Sequence, residues 1–192
     1  MKAILMSLKP KWCEKIFSGE KTVEVRKVAP KLKPPFKVYV YETKTGFIEA
    51  VRGTCPICAF SRGKVIGEFV CDKVEENIPD YNPAYERFFY NSFECGADCL
   101  TSDEIVAYGK GDPLHGWHIT KVKLFDEPRE LSEFYTLGNC EKYDFCDQCK
   151  NFHRGQGWLD GSYCDEDSCL DNTRIPVTRA PQSWQYVEEI EE

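Results

Sequence analysis

The order strand, proline, helix, glycine, strand within the first 27 residues constrains this chain more than any other feature. "KAILMSL" (2–8) is a short apolar run ending at Lys9-Pro10, the pattern of a buried strand. Pro10 suits the first helical position, where its missing N–H costs nothing. "PKWCEKIFSG" is therefore predicted as a helix with Trp12, Ile16 and Phe17 inward, and Gly19 supplies the left-handed residue that ends it. "KTVEVRK" then alternates with period two: Val23 and Val25 face one way, Thr22, Glu24 and Arg26 the other. The valines are assigned to the core.

Further strands are predicted at 37–43, 63–76 and 116–128, and "APQSWQYVEEI" (180–190) returns to strand-like alternation. "NPAYERFFYNSF" (82–93) reads as a helix with an aromatic face. Thr101, followed three residues later by Glu104, is a capping box for a helix ending at Gly109. "ELSEFY" (130–135) reads as a short helix. Several short strands, few helices and a returning C-terminal strand predict a mixed β-barrel with peripheral helices. Residues 138–172 differ: Cys, Asp, Gly and Asn dominate, apolar periodicity is lost, and the stretch is too long for a structureless loop without a staple. The expected organisation is a barrel domain of 1–137 and 173–192, interrupted by a cysteine-rich insertion at 138–172.

A chain of 192 residues can bury roughly 70% of its unfolded surface, so its core needs no cross-links. No apolar run approaches the roughly 20 residues of a membrane span, and residues 1–15 lack a cleavage-like site. A soluble, cytoplasmic protein without a membrane partner is expected, with a monomer favoured. The net charge of −7 divides unevenly: residues 1–70 hold 14 Lys/Arg against 6 Asp/Glu, residues 71–192 hold 11 against 26. The acidic total argues against a non-specific nucleic-acid binder, while the basic first part can supply one phosphate-facing surface.

Eleven cysteines without a secretion signal point to metal thiolates rather than disulfides. Cys146-x-x-Cys149 followed by Cys164 and Cys169 has the spacing of a tetrahedral zinc site, with Cys140 or His153 able to replace a ligand. Four of the five cysteines are expected to hold one structural zinc that orders the insertion. Cys55-Pro-Ile-Cys58, with Cys95 and Cys99, is the candidate second metal site.

Gly19-x-Lys21-x-x-Glu24-x-Arg26, the block "LKPKWCEKIFSGEKTVEVRK", "YGKG…GWHI" and the closing "RAPQSW" together resemble ASCH domains of the PUA-like superfamily. The likeness is to small bacterial and phage-borne members with a cysteine-rich segment before the closing motif. The resemblance implies a β-barrel that binds RNA or a modified nucleoside. One branch of the family removes an acyl group from the N4 amine of cytidine, and others are described as nucleases.

The expected ligand contacts are Lys9, Lys21, Thr22, Glu24, Arg26 and Trp184. Cations meet phosphate or ribose oxygens, Glu24 accepts from a base edge, and Trp184 or Trp12 stacks. Lys11 lies beside Lys9 in the same role. The alternative is an enzyme, an amidohydrolase of an acylated nucleoside or a ribonuclease, with Lys21 and Glu24 catalytic. Where that branch carries a hydroxyl residue this chain has Glu24, and Glu68 and Glu104 are the candidates for a further carboxylate. His118, in an apolar strand pattern next to "LHG" with His115, is assigned a structural role. A third possibility is a protein-interaction module built on the zinc segment.

Overall fold

The computed structural model describes residues 1–44, 63–91, 93, 96–136 and 175–190, together with the backbone of 152–153 and 157–158. Strand β1 (Lys2–Leu8) leads through Lys9 into helix α1 (Pro10–Phe17), with Pro10 in the first turn as the sequence requires. Gly19 turns the chain at φ +80°, a value costly for residues with a Cβ. Strands β2 (Val23–Arg26), β3 (Phe36–Glu42) and β4 (Val65–Asn77) follow. Then come β5 (Asp80–Asn82), β6 (Arg87–Phe89), helix α2 (Ser102–Gly109) and the long β7 (Leu114–Arg129). A single 3-10 turn at Leu131–Glu133 precedes β8 (Tyr135–Thr136). The last strands are β9 (Phe152–His153), β10 (Gly157–Trp158), β11 (Ile175–Pro176) and β12 (Trp184–Glu188).

Six strands form one sheet in the order β12-β1-β3-β4-β7-β2. β1 runs parallel to β3, and the other neighbours are antiparallel. The expected barrel is thereby corrected to a mixed α/β fold with an open sheet, whose edges are β12 and β2. The sheet nevertheless curls. Laid flat, β12 and β7 would stand about 19 Å apart, yet the Trp184 and Trp117 rings are 5.5 Å apart between centroids. Side chains, not a backbone ladder, bridge the two edges. Arg26 at the end of β2 donates to the Ser7 carbonyl (2.9 Å) and to the Ser183 hydroxyl (3.2 Å) beside β12.

The curled inner face holds the main core. Ile4, Met6 and Leu8 of β1, Val38 and Val40 of β3, Phe69 of β4 and Trp117 of β7 pack there, covered by Cys13 and Ile16 of α1. Phe17 seats on Gly67, where a Cβ would lie 2.7 Å from its ring and 2.4 Å from the Lys123 carbonyl. A second core, on the other face, gathers Leu5, Tyr39, Val65, Phe134 and Val187. Val23 and Val25 belong to neither. They pack with Phe93, Ile105 and Leu114 under α2, so the valines are core residues, as expected, but of a small third core, and Glu24 and Arg26 face the curled inner side.

Residues 82–93 do not form the expected helix. Asp80–Asn82 and Arg87–Phe89 pair as a short hairpin, because Tyr81 and Phe88, directly opposite, bring their rings to 5.2 Å, a cross-strand contact that outweighs helical periodicity.

The metal-stapled insertion is also corrected. Among the described residues there is no group of three or more His, Cys, Asp and Glu side chains that could hold a metal ion. Zinc is withdrawn as a cofactor on that finding. Cys99, assigned to a second site, is a free thiol that donates to the Glu20 carbonyl. Cys55, Cys58, Cys95, Cys140, Cys146, Cys149, Cys164 and Cys169 lie outside the described residues, as does the side chain of His153. The residues described on either side of 137–174 meet: Thr136 and Ile175 are directly paired across β8 and β11. No helix among the described residues is long and apolar enough to cross a membrane.

Candidate functional site

β2 is four residues long and all four are buried. With the valines held under α2, the alternation of a strand leaves Glu24 and Arg26 nowhere to go but the inner face. Lys21 joins them because the Gly19 turn directs its backbone N–H to the Lys15 carbonyl (2.9 Å). The three side chains are 2%, 6% and 8% exposed. Glu24 is the centre: one carboxylate oxygen lies 3.5 Å from the Lys21 ammonium and the other 3.0 Å from Arg26 Nε. Lys21 also donates to the Asp98 carbonyl, and its ammonium sits 4.9 Å from the centre of the Trp12 ring.

Isolated ions of this kind lose several kcal/mol each on leaving water, and mutual attraction repays this only with good geometry and further hydrogen bonds. Arg26 shows where that repayment is incomplete. Its two terminal nitrogens are committed to Ser7 and Ser183. Its Nε–H is not aligned on Glu24, so that contact is coulombic and the buried Nε makes no hydrogen bond. One net positive charge remains on the triplet.

Trp117 is directly opposite Glu24 in the β2–β7 register. Trp117 contacts Phe36 edge-on at 5.7 Å and Trp184 at 5.5 Å, and Trp184 contacts Tyr186 at 5.4 Å. Trp184 is half-buried at the β12 edge, so the aromatic row runs from the interior to the rim. On the α2 side stands Tyr108, 38% exposed, its phenol pushed up by burial while the neighbouring Arg26 draws it down and Glu24 pushes it further up. Lys27 lies over the Tyr108 ring at 5.7 Å and is 3.5 Å from Asp112.

The other expected residues take different places. Lys9 is exposed at the N-cap of α1, and Lys11 covers the outer face of Trp12 at 4.1 Å. Thr22 is exposed, its backbone N–H bonded to the Ala97 carbonyl. Neither proposed carboxylate reaches the triplet: Glu68 pairs with Lys37 at 3.4 Å, and Glu104 completes the capping box of α2. His118 pairs with Glu75 at 3.3 Å, and His115 is half-buried opposite Arg26. Sequence reasoning missed Ser7, Asp98, Tyr108, Trp117 and Ser183. Three of these stood in motifs that carry the resemblance, Tyr108 in "YGKG", Trp117 in "GWHI" and Ser183 in "PQSW", but nothing in their spacing placed them beside β2.

Residues 6–129 of the chain match the ASCH domain family. This chain belongs to the ASCH domain family. The family is associated with RNA and nucleotide binding. Among solved structures, an ASCH protein of Zymomonas mobilis is 17% identical to this ASCH chain with a TM-score of 0.52, over 97% of this chain and 88% of that one. A tyrosine-to-phenylalanine mutant of that protein is 20% identical, with a TM-score of 0.46 over 68% of this chain and 77% of its own. A serine-to-alanine mutant is likewise 20% identical, at 0.46 over 83% and 89%. At such identities the likeness concerns the fold alone. No curated protein matches this chain.

Proposed function

We propose that this ASCH domain binds RNA or a modified nucleoside in the cleft lined by Lys21, Glu24 and Arg26, at the rim marked by Trp184. The observation that carries this reading is the buried ion triplet on the inner face. Fold stability does not require it, since well-packed apolar residues in place of a buried ion pair are commonly neutral or stabilising. Charges kept at that cost on the curled inner face support a binding function. The aromatic row supports a planar ligand, and Lys9 and Lys27 flank the cleft as cations for phosphate. The family association agrees.

The hydrolase reading is weaker on one specific observation. A hydroxyl nucleophile needs a base as its hydrogen-bond partner. The Ser7 hydroxyl donates to the Pro181 carbonyl, and the Ser183 hydroxyl accepts from Arg26; neither bond is to a base. Recognition is therefore preferred to turnover.

The experiment is a binding titration of labelled single-stranded RNAs and of N4-acetylcytidine, with salt varied and products assayed. Saturable, salt-sensitive binding without turnover is the expected result. Release of free cytidine or shortened RNA would instead establish the enzyme. Unchanged binding in Glu24→Ala and Arg26→Ala proteins would remove the cleft from the function.

A further inference from the structure

Resting on that reading, the kind of ligand is narrowed by the loop that borders the cleft. Residues 25–41 hold five Lys or Arg and no Asp or Glu. Within this stretch Leu32 packs against the main core, and its neighbours Lys31 and Lys33 are exposed on either side of it. The Lys31 backbone N–H donates to the Tyr186 hydroxyl at 2.7 Å, which fastens the loop to the rim. Tyr186 is two residues from Trp184 on β12, so the two share a face, and their rings are 5.4 Å apart. β1 and β12 are antiparallel, with Ile4 opposite Tyr186 and Met6 opposite Trp184. Lys9 therefore lies beyond the Trp184 end of this aromatic pair, and Lys31 stands at the Tyr186 end. The rim runs Lys9, Trp184, Tyr186, Lys31, with Lys33 next along the loop.

Other lysines around the site are answered by carboxylates. Lys11 meets Glu104 at 3.8 Å, Lys15 meets Glu20 at 2.9 Å, and Lys27 meets Asp112 at 3.5 Å. Among the described residues, Lys9, Lys31 and Lys33 form no ion pair. Unanswered cations beside an aromatic pair are the combination that holds a single strand, with cations on phosphates and rings on bases. We infer that the ligand is a single-stranded RNA of more than one nucleotide, which lays phosphates on Lys31 and Lys33 while a base enters beside Trp184. A free nucleoside carries no phosphate and gains nothing from either lysine.

The test titrates a fluorescein-labelled oligo(U) of about ten nucleotides at a series of salt concentrations, beside N4-acetylcytidine, on the wild-type protein and on Lys31→Ala/Lys33→Ala. Both residues are exposed, so the double variant keeps the fold. Its slope of log affinity against log salt is expected to be shallower by about 1.4, two phosphate contacts at about 0.7 each on a single strand. Binding of N4-acetylcytidine is expected to be untouched. Lys64→Ala/Lys73→Ala removes the same net charge from lysines already paired with Glu130 and Glu75, and is expected to keep the wild-type slope. An unchanged slope in Lys31→Ala/Lys33→Ala, or an equal loss in Lys64→Ala/Lys73→Ala, overturns the inference and leaves the binding cleft standing. Binding of N4-acetylcytidine without binding of oligo(U) does the same. No binding of either removes both.

Discussion

Glu24 sits between two buried cations, and removing its charge strands both. Glu24→Gln is expected to destabilise the domain by about 3–5 kcal/mol, the usual cost of breaking a buried pair from one side, measured by urea denaturation. Adding Lys21→Met to that variant is expected to recover part of the loss, because one uncompensated ion is then gone. An exposed pair would show neither effect, since it contributes about 0–1 kcal/mol. The signature around Glu24 is legible in the sequence as a set of residues, with its valines buried, but which core the valines enter is not. Alternation tells that Val23 and Val25 share a face and that Glu24 and Arg26 share the other; it does not tell which core either face joins. That choice was made by Phe93 and Ile105, far along the chain, which give the valines a core of their own. In the sequence Trp117 is simply a strand residue, because an unpaired indole N–H exists only once its surroundings are assembled.

Helix α2 has both halves of its capping box: the Thr101 hydroxyl accepts from the Glu104 N–H, and Glu104 accepts from the Thr101 N–H at 3.0 Å. This was visible in four letters of sequence because a cap is local. Thr101→Ala is expected to cost about 1 kcal/mol by thermal melting. The Thr101 backbone N–H holds the Glu104 carboxyl below its ordinary value. A group depressed in the folded state stabilises the fold at neutral pH and loses that contribution as pH falls through its folded-state value. The melting-temperature gap between the wild-type protein and Glu104→Gln is thus expected at pH 7 and narrows as pH falls below the ordinary glutamate value of about 4.3. α1 depends on a non-local contact instead. Gly67→Ala is expected to push Phe17 off β4 and lower the melting temperature by several degrees, since the methyl meets backbone as well as ring. The aromatic hairpin at 80–89 escaped sequence reading because its pattern fits two periods, and only the partner strand decides between them.

At the scale of the molecule, the sheet is held by pairings between segments far apart in sequence, and this limited what could be foreseen. Strand positions were legible, because 114–129 and 65–77 carry their own alternation; open edges in place of a closed ladder were not, because closure depends on how all six strands curl. The pairing of Thr136 with Ile175 makes a direct prediction. Replacing residues 137–174 with Asn-Gly, a two-residue hairpin turn, is expected to leave a cooperatively unfolding domain by circular dichroism. A non-cooperative or unfolded product would show that 138–172 is part of the fold and not an insertion. The uneven charge makes another. Oligo(U) affinity is expected to fall linearly on a log–log plot against salt, with Lys9→Ala reducing the slope by roughly 0.7, one phosphate contact on a single strand.

Arg26 ties the two open edges of the sheet together, since its guanidinium reaches from the end of β2 to the Ser183 hydroxyl beside β12. The curl is thus closed by a contact between residues 157 positions apart in sequence. A fraying β12 therefore opens the sheet at that seam before it disturbs the pairing of β3 with β4.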